Sequence, residues 1–189
     1  MVSVLDVLIL SQVPNVGTNR LRNLISHFDT TEKIFSASAR EIINAEGFSK
    51  KLALSTAHFV RNTSLQQARK YAQQQLSRVN KAGGRVVTYW DTMYPEQLKR
   101  IYDPPPFFFM LGNLVENDKY AVGIVGTRQP TGYGTALAEK FGREFARLGI
   151  AVVSGLARGI DTVAHSATLN HGGRTIGVIG SGVDVIYPH

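Results

Sequence analysis

The chain has 189 residues, 43% hydrophobic and 19% charged, enough for one sizeable core or two modest domains. It has no cysteine, which excludes a disulfide framework and a thiolate metal site, and no apolar run suited to spanning a bilayer, so a cytoplasmic protein without membrane contact is expected. Its net charge of +7 is uneven, with 12 Lys+Arg against 5 Asp+Glu up to Arg85 and nine of each from Val86 onward. The basic surplus reads either as solvated helical surface or as a face that meets polyanions. The first residues do not form a signal peptide, because Ser3, Asp6 and Ser11 interrupt their apolar run.

Residues 4–10 predict a helix, which residues 12–17 break. Thr18 is expected to cap the next helix, where Leu21, Leu24, Ile25 and Phe28 fall at i, i+3, i+4 and i+7. Two helices around the turn Val13-Pro14-Asn15-Val16-Gly17 resemble a helix-hairpin-helix unit, whose turn amides face a DNA phosphate; Asn15 stands where that pattern often carries its first glycine. A shift of 31 positions pairs Thr18 with Ser49, Leu21 with Leu52, His27 with His58 and Phe28 with Phe59. It predicts a second unit that turns at residues 45–48 and starts a helix at Ser49. His27 and His58 read as helix-end residues near the carbonyl dipole, not as metal ligands. Leu65, Ala68, Ala72, Leu76 and Val79 then mark one stripe of a long helix that Gly83-Gly84 ends, and five glutamines between Gln66 and Gln75 lie around its solvent side. Together these elements predict an all-helical domain over residues 1–83.

The second domain is expected over residues 84–189. Residues 85–90 read as a strand, 95–101 as a short helix, Pro104-Pro105-Pro106 as a non-helical link and 107–111 as another strand, whose alternation sends Phe108 to the face opposite Phe107 and Phe109. Three apolar runs follow, at residues 121–125, 150–153 and 175–179, each ending in glycine and small polar residues. The first two open helical patterns, so the three read as parallel strands buried on both faces with their turns along one carboxyl edge. Amides and helix dipoles at such an edge favour an anion. The G-x-G-x-x-G spacing and acidic residue of a dinucleotide site are missing, as is G-x-x-x-x-G-K-[ST], so neither nicotinamide nor ATP is supported as a cofactor.

At these turns the chain resembles the DprA (Smf) DNA-processing family. The resemblance rests on Gly126-Thr127-Arg128 with Pro130-Thr131 and Tyr133-Gly134, then on Ser154 to Asp161 with Ala164-His165. Gly172-Gly173-Arg174 and Gly180-Ser181-Gly182-Val183-Asp184 with Tyr187-Pro188 complete it. It implies an α/β chain in which a helix-hairpin-helix or SAM-like domain precedes an extended Rossmann-like sheet. The implied activity is binding and protection of single-stranded DNA and loading of RecA recombinase in natural transformation, without catalysis, cofactor or metal. Arg128 is then expected to pair with phosphate, Gly126, Gly155, Gly180 and Gly182 to let the DNA backbone approach, and Thr127, Ser154 and Ser181 to donate hydrogen bonds. The family's core continues past its Tyr-Pro motif, so an incomplete core is expected here, with more of the DNA pocket and a homodimer surface in the complete protein.

The remaining polar residues have plainer readings. Asp161 is expected to be a helix N-cap with His165 its neighbour one turn on, since no nucleophile or metal partner accompanies them. Asp184 is expected to brace the third turn. Two alternatives stand beside DNA loading. One is a nucleotide-processing enzyme such as the cytokinin-activating phosphoribohydrolases, whose Pro-Gly-Gly-x-Gly-Thr loop is missing here. The other is a module that binds duplex DNA or a protein through its basic helical domain.

Overall fold

The computed structural model describes residues 2–185. Their contacts divide the chain into two compact units, Met1–Gly112 and Asn113–His189. No helix among the described residues is long and apolar enough to cross a membrane.

The first unit contains α1 (Val4–Leu10), α2 (Thr18–Phe28), α3 (Thr31–Ser36), α4 (Ala39–Ile42), α5 (Lys50–Phe59), α6 (Thr63–Lys81) and α7 (Glu96–Lys99). Its core combines the stripes read in the sequence, where Leu24, Ile25 and Ala72 are fully buried, with Leu10 of α1 and with Ile34 and Ile42 of α3 and α4, two short helices not expected from the sequence. Side-chain caps fix the helix starts. Ser38 and Glu41 form a reciprocal capping box, Ser49 Oγ accepts from Leu52 N, and Asn62 Oδ1 accepts from Ser64 N. Thr18 is not a cap: Gly17 takes that position, and the Thr18 hydroxyl donates to Asp103 at 2.5 Å.

The internal repeat is structural, and its register is 32 residues rather than 31. Val16 N bonds Val13 O as Phe48 N bonds Ala45 O, and Leu21 N bonds Gly17 O as Ala53 N bonds Ser49 O. The buried α2 positions Leu21, Leu24 and Ile25 correspond to buried Ala53, Thr56 and Ala57 of α5. The 31-residue matches join positions of unlike burial, fully buried Leu21 with half-buried Leu52 and half-buried Phe28 with buried Phe59, whereas burial and backbone bonding obey the 32-residue period. The turns match as well, with Asn15 at φ 63 and Gly47 at φ 84. Asn15 thus adopts the left-handed conformation for which glycine is the usual choice.

β1 (Arg85–Thr88) and β2 (Phe107–Met110) pair antiparallel and belong to this same unit. A boundary at residue 83, set by the Gly83-Gly84 turn, therefore differs from the contact boundary after Gly112. The reason is apolar packing: Val86, Phe107 and Phe109 pack against the helical core, while Phe108 meets Tyr94 on the other face at 5.5 Å.

The second unit begins with a 3-10 turn, Glu116–Tyr120, followed by β3 (Val122–Gly123), α8 (Gly132–Arg147), β4 (Val152–Ser154), α9 (Ile160–Asn170) and β5 (Thr175–Gly177). The strands are parallel in the order β3-β4-β5. Successive right-handed crossovers in one direction put both helices on the same face. α8 and α9 accordingly pack together, so closely that a Cβ on Gly142 would lie 2.8 Å from Ala164 O. Burial on both faces is thus not what the described residues show: Val125 is 77% and Val178 63% exposed. Covering the second face would need a strand order that reverses. The Ile186-Tyr187-Pro188 end of the third turn lies outside the described residues.

Candidate nucleic-acid interface

The three turns after β3, β4 and β5 lie at one edge of the parallel sheet, and the first two are tied together by Asp161. Its Oδ1 accepts from Gly126 N at 3.3 Å, and its Oδ2 from Gly155 N at 3.0 Å and Ala157 N at 3.5 Å. Asp161 is only 4% exposed and sits in the first turn of α9, behind the N-cap Gly159. It is therefore not the N-cap. It is a built-in anion that occupies the amide cluster of the two glycine turns.

A second tie is made by the backbone. Gly159 has φ +87, and a Cβ there would stand 2.3 Å from Thr127 O and 2.7 Å from Arg128 Cα. Only glycine allows the first turn to cross the start of α9 so closely. Ile160 N donates to Thr127 O at 3.2 Å, so the leading amide of α9 is also used internally. Gly126 is small for a related reason, since its Cβ would collide with the Ile160 side chain at 2.7 Å.

With those amides consumed, the outward groups are few. Arg128 is exposed and makes no hydrogen bond or ion pair among the described residues. It precedes α8, whose N-cap Thr131 accepts from Gly134 N at 3.2 Å, while the first-turn amides of Gly132 and Tyr133 have no acceptor among the described residues. Thr127 is exposed and its Oγ1 accepts from Gln129 N, which leaves its hydroxyl proton available. Ser154 differs from the expectation. It is 3% exposed, and its Oγ faces Leu156 N at 3.4 Å, so it supports the second turn from inside. Gly155 is partly buried beside the Asp161 carboxylate, at 3.2 Å from the position of a Cβ. Gly180, Ser181 and Gly182 are exposed, and Asp184 Oδ1 lies 2.6 Å from where a Gly182 Cβ would be.

Sequence reasoning missed two features here. One is the role of Asp161, for which its place six residues after Gly155 was the available signal. The other is Leu156, held at φ 55 with its side chain over Gly177, where a Cβ would meet it at 2.5 Å. His165, 5% exposed, is held below its ordinary pKa by burial, against the opposing pull of Asp161 and of a hydrogen bond to the Ser154 backbone. Its Nε2 has no partner among the described residues. No cluster of three or more potential metal ligands occurs among the described residues. A 280 Å³ concavity between α8 and α9, lined in part by Glu139, Arg143 and Ser166, contains none of the turn residues.

This geometry defines an α/β protein with a helical first unit and a small parallel sheet at whose edge Arg128 has no partner among the described residues. The family described as "DNA recombination-mediator protein A" matches residues 85–189. The chain is 36% identical to Protein Smf of Synechocystis over 182 residues, covering 94% of this chain and 44% of that protein. It is 48% identical to the DNA processing protein DprA of Bacillus subtilis over 96 residues, covering 50% and 32%. The crystal structure of DprA from Streptococcus pneumoniae superposes with a TM-score of 0.74 at 26% identity, covering 98% of this chain and 60% of that one. The chain belongs to the DprA (Smf) family. It spans less than half the length of these curated relatives.

Proposed function

We propose that the sheet edge binds the backbone of single-stranded DNA, and that the chain serves DNA processing in natural transformation by protecting the strand and passing it to RecA recombinase. The observation that carries this reading is Arg128. It is an exposed guanidinium with no partner among the described residues, on a turn clamped by Gly159 and Asp161 and followed by the first-turn amides of α8. A guanidinium forks onto phosphate oxygens, and open helix amides add neutral donors. Thr127 and Ser181 supply hydroxyls, and Gly180 and Gly182 leave room on the exposed third turn. Ser154, Gly126 and Gly155 act through the shape of the turns. In this reading the paired helix-turn-helix repeats are helix-hairpin-helix units, the parallel sheet is the first part of a Rossmann-like core, and the complete protein is a cytoplasmic homodimer without catalytic activity.

Fluorescence anisotropy with a labelled single strand and its duplex tests the reading. The single strand is expected to bind more tightly, and Arg128→Ala to weaken it by about 10- to 100-fold, the worth of one charge-assisted phosphate contact. An unchanged affinity in Arg128→Ala would remove the sheet edge from consideration.

A further inference from the structure

From Gly47 to Trp90 the chain contains no Asp or Glu, although it has 14 elsewhere, and eight Lys and Arg remain in that stretch. α6 runs through its middle. Ala68, Ala72 and Val79 are buried, and on the opposite side Gln67, Lys70, Gln74, Arg78 and Lys81 recur at spacings of three, four, four and three. All five are exposed, so they form one continuous ridge on a single helix face, about 21 Å long at the α-helical rise.

The cations of this ridge have no side-chain partner among the described residues, although Arg78 and Lys81 stand in the last turn of α6 and complement its dipole. Other arginines in the same unit are engaged: Arg20 donates to the Asn15 and Gly47 carbonyls, Arg22 pairs with Asp103, and Arg61 donates to the Ser36 and Ala37 carbonyls. None of the five ridge side chains makes a hydrogen bond or ion pair among the described residues. Arg78 and Lys81 are moreover like charges at i and i+3, whose mutual repulsion an anion over them would relieve. Tyr71, 46% exposed beside Gln67 and Gln74, is the one large apolar side chain that α6 exposes, too little to seat the ridge in a lipid surface or a protein groove. The ridge mixes ammonium and guanidinium cations with glutamine amides, all of them donors that contact phosphate oxygens.

We propose that the α6 ridge is a second nucleic-acid contact, which grips the phosphodiester backbone independently of base sequence and of the sheet edge. The inference stands on a different unit from Arg128 and does not depend on it. Each cation on the ridge releases condensed counterions on binding, which gives the contact a measurable salt signature.

The test uses the full chain, anisotropy of a mixed-sequence single strand and its duplex, and salt from about 50 to 200 mM. The combined variant Lys70→Gln/Arg78→Gln/Lys81→Gln is expected to fold normally, because all three side chains are exposed. With the single strand, its plot of log affinity against log salt should be shallower by about 2, and with the duplex by about 2.7. Affinity should fall at least about tenfold on the probe the ridge engages. A control, Lys33→Gln/Arg40→Gln/Lys140→Gln, removes the same charge from other exposed positions and should have a much smaller effect. Unchanged slope and affinity on both probes would overturn the proposal, as would an equal loss in the control. If Arg128→Ala is silent while the ridge variant is not, the sheet-edge reading fails and the ridge stands.

Discussion

Removing the Asp161 carboxylate is predicted to loosen the two glycine turns and to destabilise the second unit as a whole. In the folded chain it accepts the amides of Gly126, Gly155 and Ala157 at 3.3, 3.0 and 3.5 Å. An orphaned buried amide costs about 1–3 kcal/mol, and bonds near 3.5 Å contribute least. Gly126 is itself exposed, so water can replace part of its loss. One strong bond and two weaker ones give an expected cost of about 3 kcal/mol for Asp161→Ala. Asp161→Asn keeps one acceptor oxygen but turns an NH2 toward a donor, for an expected cost of about 2 kcal/mol. The only tryptophan, Trp90, lies in the first unit, so its fluorescence cannot follow this change. Urea unfolding by circular dichroism, with hydrogen exchange of the three amides, reads it directly. If Asp161→Ala stayed within about 0.5 kcal/mol of the parent with those amides still protected, the carboxylate would not be what joins the turns.

Two further outcomes follow from the same turns. Gly159→Ala combines φ +87 with a clash at 2.3 Å and is expected to cost more than about 2 kcal/mol, whereas Gly172→Ala, at φ +72 with nothing within 4 Å, should cost only about 1; equal costs in urea titrations would refute the close crossing at Thr127. Burial lowers the His165 pKa from 6.5, so the unfolded chain binds the proton first, and stability should be full above that value and fall as pH drops below it. Melting curves from about pH 8 to pH 5 should show the decline in the parent and a weaker one in His165→Gln; parallel profiles would mean that His165 does not titrate differently in the two states.

The elements were legible in the sequence wherever burial repeats along the chain. The stripe of Ala68, Ala72 and Val79 defined α6, and glycine-terminated apolar runs located all three parallel strands. What escaped was set by partners distant in sequence. Thr18 looked like a cap because its hydroxyl is suited to one, but Asp103 claims that hydroxyl from 85 residues away. Asp161 looked like a cap for the same reason, and the turns of two different strands claim it instead. Ser154 carried the small polar side chain of a surface turn, but β4 is the central strand and buries it. Periodicity records which face is covered; it does not record which of several possible acceptors a polar side chain will find.

The internal anion also constrains where a phosphate can sit and how strongly salt must act. The amides that would make a nest between the first two turns already hold Asp161, so in the proposed reading a phosphate binds farther out, against Arg128 and the first turn of α8. One guanidinium there contributes a salt slope of only about 0.7 with single strands. The helical stretch up to Arg85, in contrast, holds the whole net charge of +7. The described turns hold one further cation, Arg158, so a measured slope much steeper than about 1.5 needs cations from elsewhere, and the three on α6 together with Arg128 would raise the total to nearly 3. The slope alone thus distinguishes a chain that holds DNA by its sheet edge from one that also holds it by its helical unit.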